Sequence, residues 1–210
     1  MKNKTIILVE DNQSFASTIQ KIIELEQDMN YLLHLPNGTD AIPALLDVEP
    51  DVCLLDIQLP DMTGIDILKK VKSQLSNTIF IMCTVYDDNE NLFQSLQAGA
   101  DGYVLKSDSP TNIVDAIRNG LAGAAPMSAS IAKKVINYFY LENQKQKKLD
   151  ELTEKENEIL SLLSQGLLYK EIADKQAVTI DTIKKHCGNI YRKLHVCNRT
   201  EALNLYFNHS

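Results

Sequence analysis

DVCLLDIQLP, residues 51–60, is the stretch on which the fold turns. Val52 to Leu55 are apolar at successive positions, the run ends on Asp56, and it gives way to Pro60 and, just beyond, Gly64, the composition of a loop. A strand that is apolar throughout, not at alternate positions, is buried on both faces, which is the condition of a strand inside a parallel sheet. Working outward, the same kind of run recurs as TIILV at 5–9, YLLHL at 31–35, TIFIMC at 78–83 and GYVLK at 102–106. Helical patterns over 12–26, 38–47, 64–75, 88–98 and 109–121 alternate with these runs. Five strand–helix units predict an α/β domain over residues 1–121: a five-stranded parallel sheet, doubly wound by helices. Such sheets gather their chemistry at the carboxyl ends of the strands. The residues that follow the strands there are Glu10 and Asp11, Asp56, Thr84 and Lys106.

Three carboxylates at neighbouring strand ends repel one another, and a hard divalent cation such as Mg²⁺, which prefers oxygen ligands, relieves that repulsion. The same cation draws in a phosphoryl group, so the constellation points to phosphoryl chemistry. Asp56 is central and is the expected nucleophile. Lys106 can pair with Asp56 or with a phosphoryl oxygen, and the Thr84 hydroxyl can donate to another.

Residues 122–150 change character. They open with the small AGAAPMSAS, continue as the apolar helix IAKKVINYFYL and close in ENQKQKKLD, which reads as an interdomain linker with a helix of its own. From 151 to 210 only helical stretches follow, near 153–165, 169–176, 180–195 and 199–208, which predicts a small all-helical domain. Thr153 with Glu156 reads as a capping box, and Gly166 as the left-handed stop of the helix it begins. Thr179 is the natural N-cap of the third helix. On that helix Ile183, Ile190 and Leu194 recur at core spacing and leave Thr182, Lys184, Lys185 and Gly188 outward. The outward face is basic: five Lys and Arg fall within 182–200 with no acid, although the chain as a whole has a net charge of −7. A helix fits the major groove of DNA, where lysine reads guanine acceptors and threonine contacts a base methyl or a phosphate.

The strings ILVEDN, LLDIQLPDMTGID, IMCTVYDD and AGADGYVLKS, spanning residues 3 to 121, resemble the receiver domain of two-component response regulators. The resemblance implies a flavodoxin-like fold in which Glu10 and Asp11 hold Mg²⁺, for which Mn²⁺ can substitute, and Asp56 takes phosphate from a sensor histidine kinase. It also implies that the Gln58 backbone carbonyl completes the metal shell and that Thr84 and Tyr103 are a switch pair, with Lys106 beside them. Gln58 and Tyr86 flank the expected route of an attacking water and would set the lifetime of the phosphorylated state. Residues 152–202, LTEKENEILSLLSQGLLYKEIADKQAVTIDTIKKHCGNIYRKLHVCNRTEA, resemble the LuxR-type helix-turn-helix that closes the NarL/FixJ group of regulators. That likeness implies double-stranded promoter DNA as partner, with Thr179, Thr182, Lys184, Lys185, Gly188, Tyr191 and Arg192 as the candidate contact set. It implies a homodimer in which Asn198, Arg199 and Thr200 begin the pairing helix. The chain departs from the helix-turn-helix pattern at Leu168 and Tyr169, usually small polar residues, and at Gln176, usually leucine.

Composition narrows the rest. No run approaches the length of a membrane span, and the N-terminal apolar stretch is too short for a signal peptide, so a cytoplasmic protein without membrane contact is expected. The four cysteines include no C-x-x-C pair, and His186, Cys187, His195 and Cys197 match no common zinc spacing. The acidic pocket suits a protein that accepts a phosphoryl group, with autodephosphorylation left open, better than a turnover enzyme. A phosphatase that uses an Asp nucleophile generally needs a second Asp two residues on, where this chain has Gln58. A receiver that acts only through protein contacts stands as the other alternative.

Overall fold

The computed structural model describes residues 3–207 apart from Tyr86 and Asp108. Residues 1–2 and 208–210, the outer ends of the two expected domains and the last position of the 199–208 helix, lie outside it. The chain forms two compact units, Met1–Val135 and Ile136–Ser210.

The first unit runs β1 (Lys4–Val9), α1 (Gln13–Glu24), β2 (Met29–Leu35), α2 (Gly38–Val48), β3 (Val52–Leu55), α3 (Gly64–Val71), β4 (Ile79–Thr84), α4 (Asn89–Gln97), β5 (Gly102–Leu105) and α5 (Pro110–Leu121). Every strand pair is parallel, and the sheet order is β2-β1-β3-β4-β5. The predicted architecture is therefore the observed one. Because β1 lies between β2 and β3, the chain steps outward from β1 to β2 and then crosses to β3 on the other side of β1, and a crevice opens at the carboxyl ends of β1 and β3. Ile6 through Val9 and Val52 through Leu55 are fully buried, as strands covered on both faces must be. Helix α1 buries Ala16, Ile19 and Ile23 at helical spacing and starts on Asn12, whose side chain accepts from the Phe15 N–H at 3.0 Å.

The segment after α5 does not leave this unit at once. The Tyr103 N–H donates to the Pro126 carbonyl at 2.8 Å, and Tyr103 pairs in parallel with Met127 along the outer edge of β5. Helix α6 (Ala129–Asp150) begins immediately afterwards.

The second unit holds α7 (Glu154–Ser164), α8 (Tyr169–Gln176), α9 (Ile180–Leu194) and α10 (Arg199–Phe207). Its core joins Ile159, Leu160 and Leu163 of α7 to Ile172 of α8 and to Ile183 and Ile190 of α9. The capping box at Thr153 and Glu156 forms as expected, and Gly166 takes φ 88°, the left-handed region that glycine enters without a Cβ penalty. The turn between α8 and α9 passes through Ala177 at φ 52°, and Thr179 then caps α9 by accepting from the Thr182 N–H at 3.2 Å.

Candidate functional site

The two central strands deliver the acids. Glu10, one residue past β1, is fully buried, Asp56, one residue past β3, is 4% exposed, and Asp11 faces solvent. The backbone fixes their relative height, since the Asp56 N–H donates to the Val9 carbonyl at 2.9 Å. One carboxylate oxygen from each of Glu10, Asp11 and Asp56 lies within 4.8 Å of the other two. Among the described residues this is the group of His, Cys, Asp and Glu side chains spaced to hold a metal ion.

Lys106, one residue past β5, closes the pocket. Its ammonium lies 2.7 Å from Asp56 Oδ2, 2.7 Å from Glu10 Oε1 and 2.6 Å from Glu10 Oε2. Asp56 Oδ1 accepts from the Ile57 N–H at 2.7 Å, so both oxygens of the expected nucleophile are held in place. Burial raises the pKa of Glu10, and the nearby charge of Asp56 adds to it, against the opposing pull of Lys106 and of the Asn12 N–H. Burial also works against the charge of Lys106, but its bonds to Asp56 and Glu10 win and hold its pKa above the ordinary lysine value. The second oxygen of Glu10 is buried without a well-formed hydrogen bond. A buried carboxylate oxygen in that condition, beside two more acids, suits a hard cation.

The other expected residues take defined places. Thr84 is fully buried at the end of β4, and its carbonyl accepts from the Lys106 N–H at 2.8 Å, which ties the threonine and the lysine at adjacent strand ends. Tyr103 on β5 is fully buried, and burial, followed by the charges of Asp88, Asp87 and Asp56, pushes its phenol pKa upward. Gln58 is exposed and pairs with Thr63 in an isolated bridge that folds the β3–α3 loop back on itself. Gly64 closes that fold, because a Cβ there would stand 2.0 Å from the Asp56 carbonyl oxygen. Tyr86 lies outside the described residues.

Sequence reading missed two neighbours of the pocket. Phe15, in the first turn of α1, sets its ring under Lys106 with the ammonium 5.1 Å from the ring centre. His34 of β2 places Nε2 2.7 Å from the Glu10 carbonyl oxygen. Neither carried a signal, since a half-buried Phe on a helix and a His in a strand read first as core.

In the second unit α9 presents Lys184, Lys185, Gly188 and Arg192 to solvent, with Thr179 exposed at its start and Thr182 half-buried one turn on. The side chains are only lightly engaged: Lys184 stands 3.5 Å from Asp181, and Arg192 donates to Asn189 at 2.8 Å. Nothing would meet a Cβ at Gly188. Tyr191 is half-buried, its hydroxyl 3.0 Å from that of Tyr169. The expected pairing residues serve helix ends in this chain. Asn198 accepts from the Glu201 N–H at 2.9 Å, Arg199 donates to the Leu163 carbonyl at 2.9 Å, and Thr200 is exposed.

Comparison with known proteins covers both units. Residues 6–118 match the response regulator receiver domain, and residues 150–206 match the bacterial regulatory proteins of the luxR family. The response regulator protein VraR of Staphylococcus saprophyticus is 31% identical over 98% of this chain and 97% of its own. The transcriptional regulatory protein LiaR of Bacillus subtilis is 29% identical over 94% of this chain and 93% of its own. Among solved structures, the RcsB response regulator of Salmonella typhimurium covers all of both chains at 25% identity with a TM-score of 0.63. RcsB of Salmonella enterica bound to promoter rprA in the presence of the phosphomimetic BeF3- covers 97% of this chain and 98% of that one at 25% identity, with a TM-score of 0.58. No helix among the described residues is long and apolar enough to cross a membrane.

Proposed function

Because the chain belongs to the response regulators that join a receiver domain to a luxR-type DNA-binding domain, we propose that Asp56 accepts a phosphoryl group from a sensor histidine kinase and that this switches the binding of α9 to promoter DNA. The observation that carries the reading is the Lys106 ammonium held 2.7 Å from Asp56 within the Glu10–Asp11–Asp56 group. In the reaction an Asp56 oxygen forms a bond to phosphorus as the phosphorus–nitrogen bond of the donor's phosphohistidine breaks. Lys106 then balances charge on the phosphoryl oxygens, and the Thr84 hydroxyl donates to one of them.

Glu10, Asp11 and Asp56 would hold Mg²⁺, or Mn²⁺ in its place, with the Gln58 carbonyl as a further oxygen ligand. Such an ion screens the crowded carboxylates and attracts the incoming phosphoryl oxygens. The chain itself supplies the nucleophile, the lysine and the hydroxyl, and it acts as a switch, with no external substrate turned over.

In the second unit Lys184 and Lys185 would meet bases or phosphates, with Thr179, Thr182, Tyr191 and Arg192 around them and Gly188 letting the backbone come close. Residues 122–150 would join a receiver at 1–121 to a DNA reader at 151–210. Paired subunits would read two half-sites, with Asn198, Arg199 and Thr200 at the pairing helix, in the cytoplasm. Selection of genomic DNA fragments by the phosphorylated protein tests the switch. The reading expects a defined set enriched by the wild type and lost with Asp56→Asn after the same phosphodonor treatment. Equal enrichment by both proteins would contradict it.

A further inference from the structure

The segment that follows α5 is fastened to the first unit at two places, and the second lies on the loop beyond Thr84. At the first place, residues 126 and 127 run along the edge of β5. The Pro126 carbonyl accepts from the Tyr103 N–H at 2.8 Å, and a Cβ on Gly102 would stand 2.5 Å from the Pro126 ring. That close approach is open only to glycine. Ile131, in the first turn of α6, is 1% exposed, so the helix start is packed down.

One turn further on, Lys134 reaches the β4–α4 loop. Its ammonium donates to the Asp87 backbone carbonyl and to Asp87 Oδ1, the latter at 2.6 Å. Asp87 stands three residues after Thr84 and just before Asp88, which caps α4 by accepting from the Asn91 N–H at 2.9 Å. Asp87 is also among the charges that act on the Tyr103 phenol. The Lys134–Asp87 contact therefore joins helix α6 to the backbone of the loop that must follow any movement of Thr84.

We propose that Lys134 is a latch: clamped on the carbonyl and carboxylate of Asp87, it holds the start of helix α6 against the switch loop, and phosphorylation of Asp56 opens it. The opening rests on the phosphoacceptor reading given above. The chemistry suits a device that must let go. A Lys–Asp pair with side chains 29% and 54% exposed contributes little free energy, so a loop shift of an ångström or two is enough to break it. Two acceptors on one residue, one of them a main-chain carbonyl, make the contact report on the position of the backbone and not only on charge. Helix α6 continues unbroken to Asp150, so whatever frees its first turns frees the base of the connection to the second unit.

Hydrogen–deuterium exchange on the full-length protein tests the proposal, reading amides in 129–135 with and without Mg²⁺ and beryllofluoride. Protection of the loop after Asp56 reports separately whether the phosphoryl mimic has bound. In the wild type the mimic is expected to speed exchange of 129–135 about fivefold, the scale of a lost, partly exposed ion pair. Lys134→Ala should exchange at that faster rate without the mimic and gain nothing from it, while Lys134→Arg, which keeps the donors, should behave as wild type. Equal rates for Lys134→Ala and wild type in the absence of the mimic would overturn the latch. Faster exchange of Lys134→Ala on adding the mimic would overturn its opening by phosphorylation. Failure of the mimic to protect the Asp56 loop in any variant would instead overturn the phosphoacceptor reading, a result that leaves the Lys134 comparison to be judged by itself.

Discussion

Tyr169 and Tyr191 meet hydroxyl to hydroxyl at 3.0 Å, the first on α8 and the second on the basic helix α9. The bond ties the start of α8 to α9 across the helix-turn-helix. Burial, followed by the Tyr169 hydroxyl, pushes the Tyr191 phenol pKa up, and the two hydroxyls share one hydrogen bond. Tyr169→Phe should therefore lower the stability of the helical unit by about 1 kcal/mol. Tyr191→Phe should cost about the same, and the double variant little more than either, because one bond is lost in all three. Denaturant titration of the four proteins checks this; additive losses would show that the hydroxyls act independently.

At Gly64 the conflict is with main chain. An added Cβ would lie 2.0 Å from the Asp56 carbonyl oxygen and 2.9 Å from its carbonyl carbon. Gly64→Ala must therefore push the β3–α3 loop away from Asp56, the proposed phosphoacceptor. The expected outcome is a loss of about 2 kcal/mol or more in stability, together with slower phosphoryl uptake, since overpacking against backbone has no side chain to yield. Thermal melting and the rate of labelling by a small phosphodonor give the two readouts.

The turn between α8 and α9 passes through Ala177 at φ 52°, a conformation that costs an L-residue with a Cβ roughly 1 kcal/mol. Ala177→Gly removes that strain while adding freedom to the unfolded chain, and the first effect is expected to win by about 0.5 kcal/mol. A raised melting temperature for the helical unit, with DNA affinity unchanged, is the predicted result.

Glu156 caps α7 and also holds Lys193 at 2.7 Å while 4% exposed. Burial works to raise its pKa, but Lys193 and the Thr153 N–H and hydroxyl together outweigh it, and the net shift is downward from 4.5. A carboxylate with a depressed folded-state pKa binds fewer protons folded than unfolded. Its contribution is thus complete above pH 4.5 and is lost as the pH falls through the folded value. Glu156→Gln should cost about 1–2 kcal/mol at neutral pH, and the gap to wild type should close in acid. A gap that stayed constant from pH 7 to 3 would rule out the ion pair as its source.

The sheet was legible because Ile6–Val9, Val52–Leu55 and Ile79–Cys83 are apolar at every position, which double-sided burial explains, and the acids, Thr84 and Lys106 were legible because they stand at the carboxyl ends of β1, β3, β4 and β5. Strand β2 begins at Met29, two residues before the run YLLHL, since Asn30 interrupts the apolar pattern while Met29 is still buried. Helix α6 runs on through ENQKQKKLD to Asp150, a stretch read as the tail of a linker. Lys, Gln and Glu are good helix formers, and charge by itself stops nothing. The packing of residues 126 and 127 on β5 was invisible, because the Gly, Ala and Pro around them signal flexibility in a sequence, and the close approach depends on Gly102 in a distant strand. Phe15 was hidden for another reason: its part at the pocket depends on a lysine 91 residues away.

The most direct test of the account is intact-mass measurement of the full-length protein after incubation with a small-molecule phosphodonor, with and without Mg²⁺. The expected result is the gain of one phosphoryl group in the presence of Mg²⁺, located on Asp56 and absent from Asp56→Asn. A phosphoryl group gained equally by Asp56→Asn, or gained by the wild type at another residue, would contradict it.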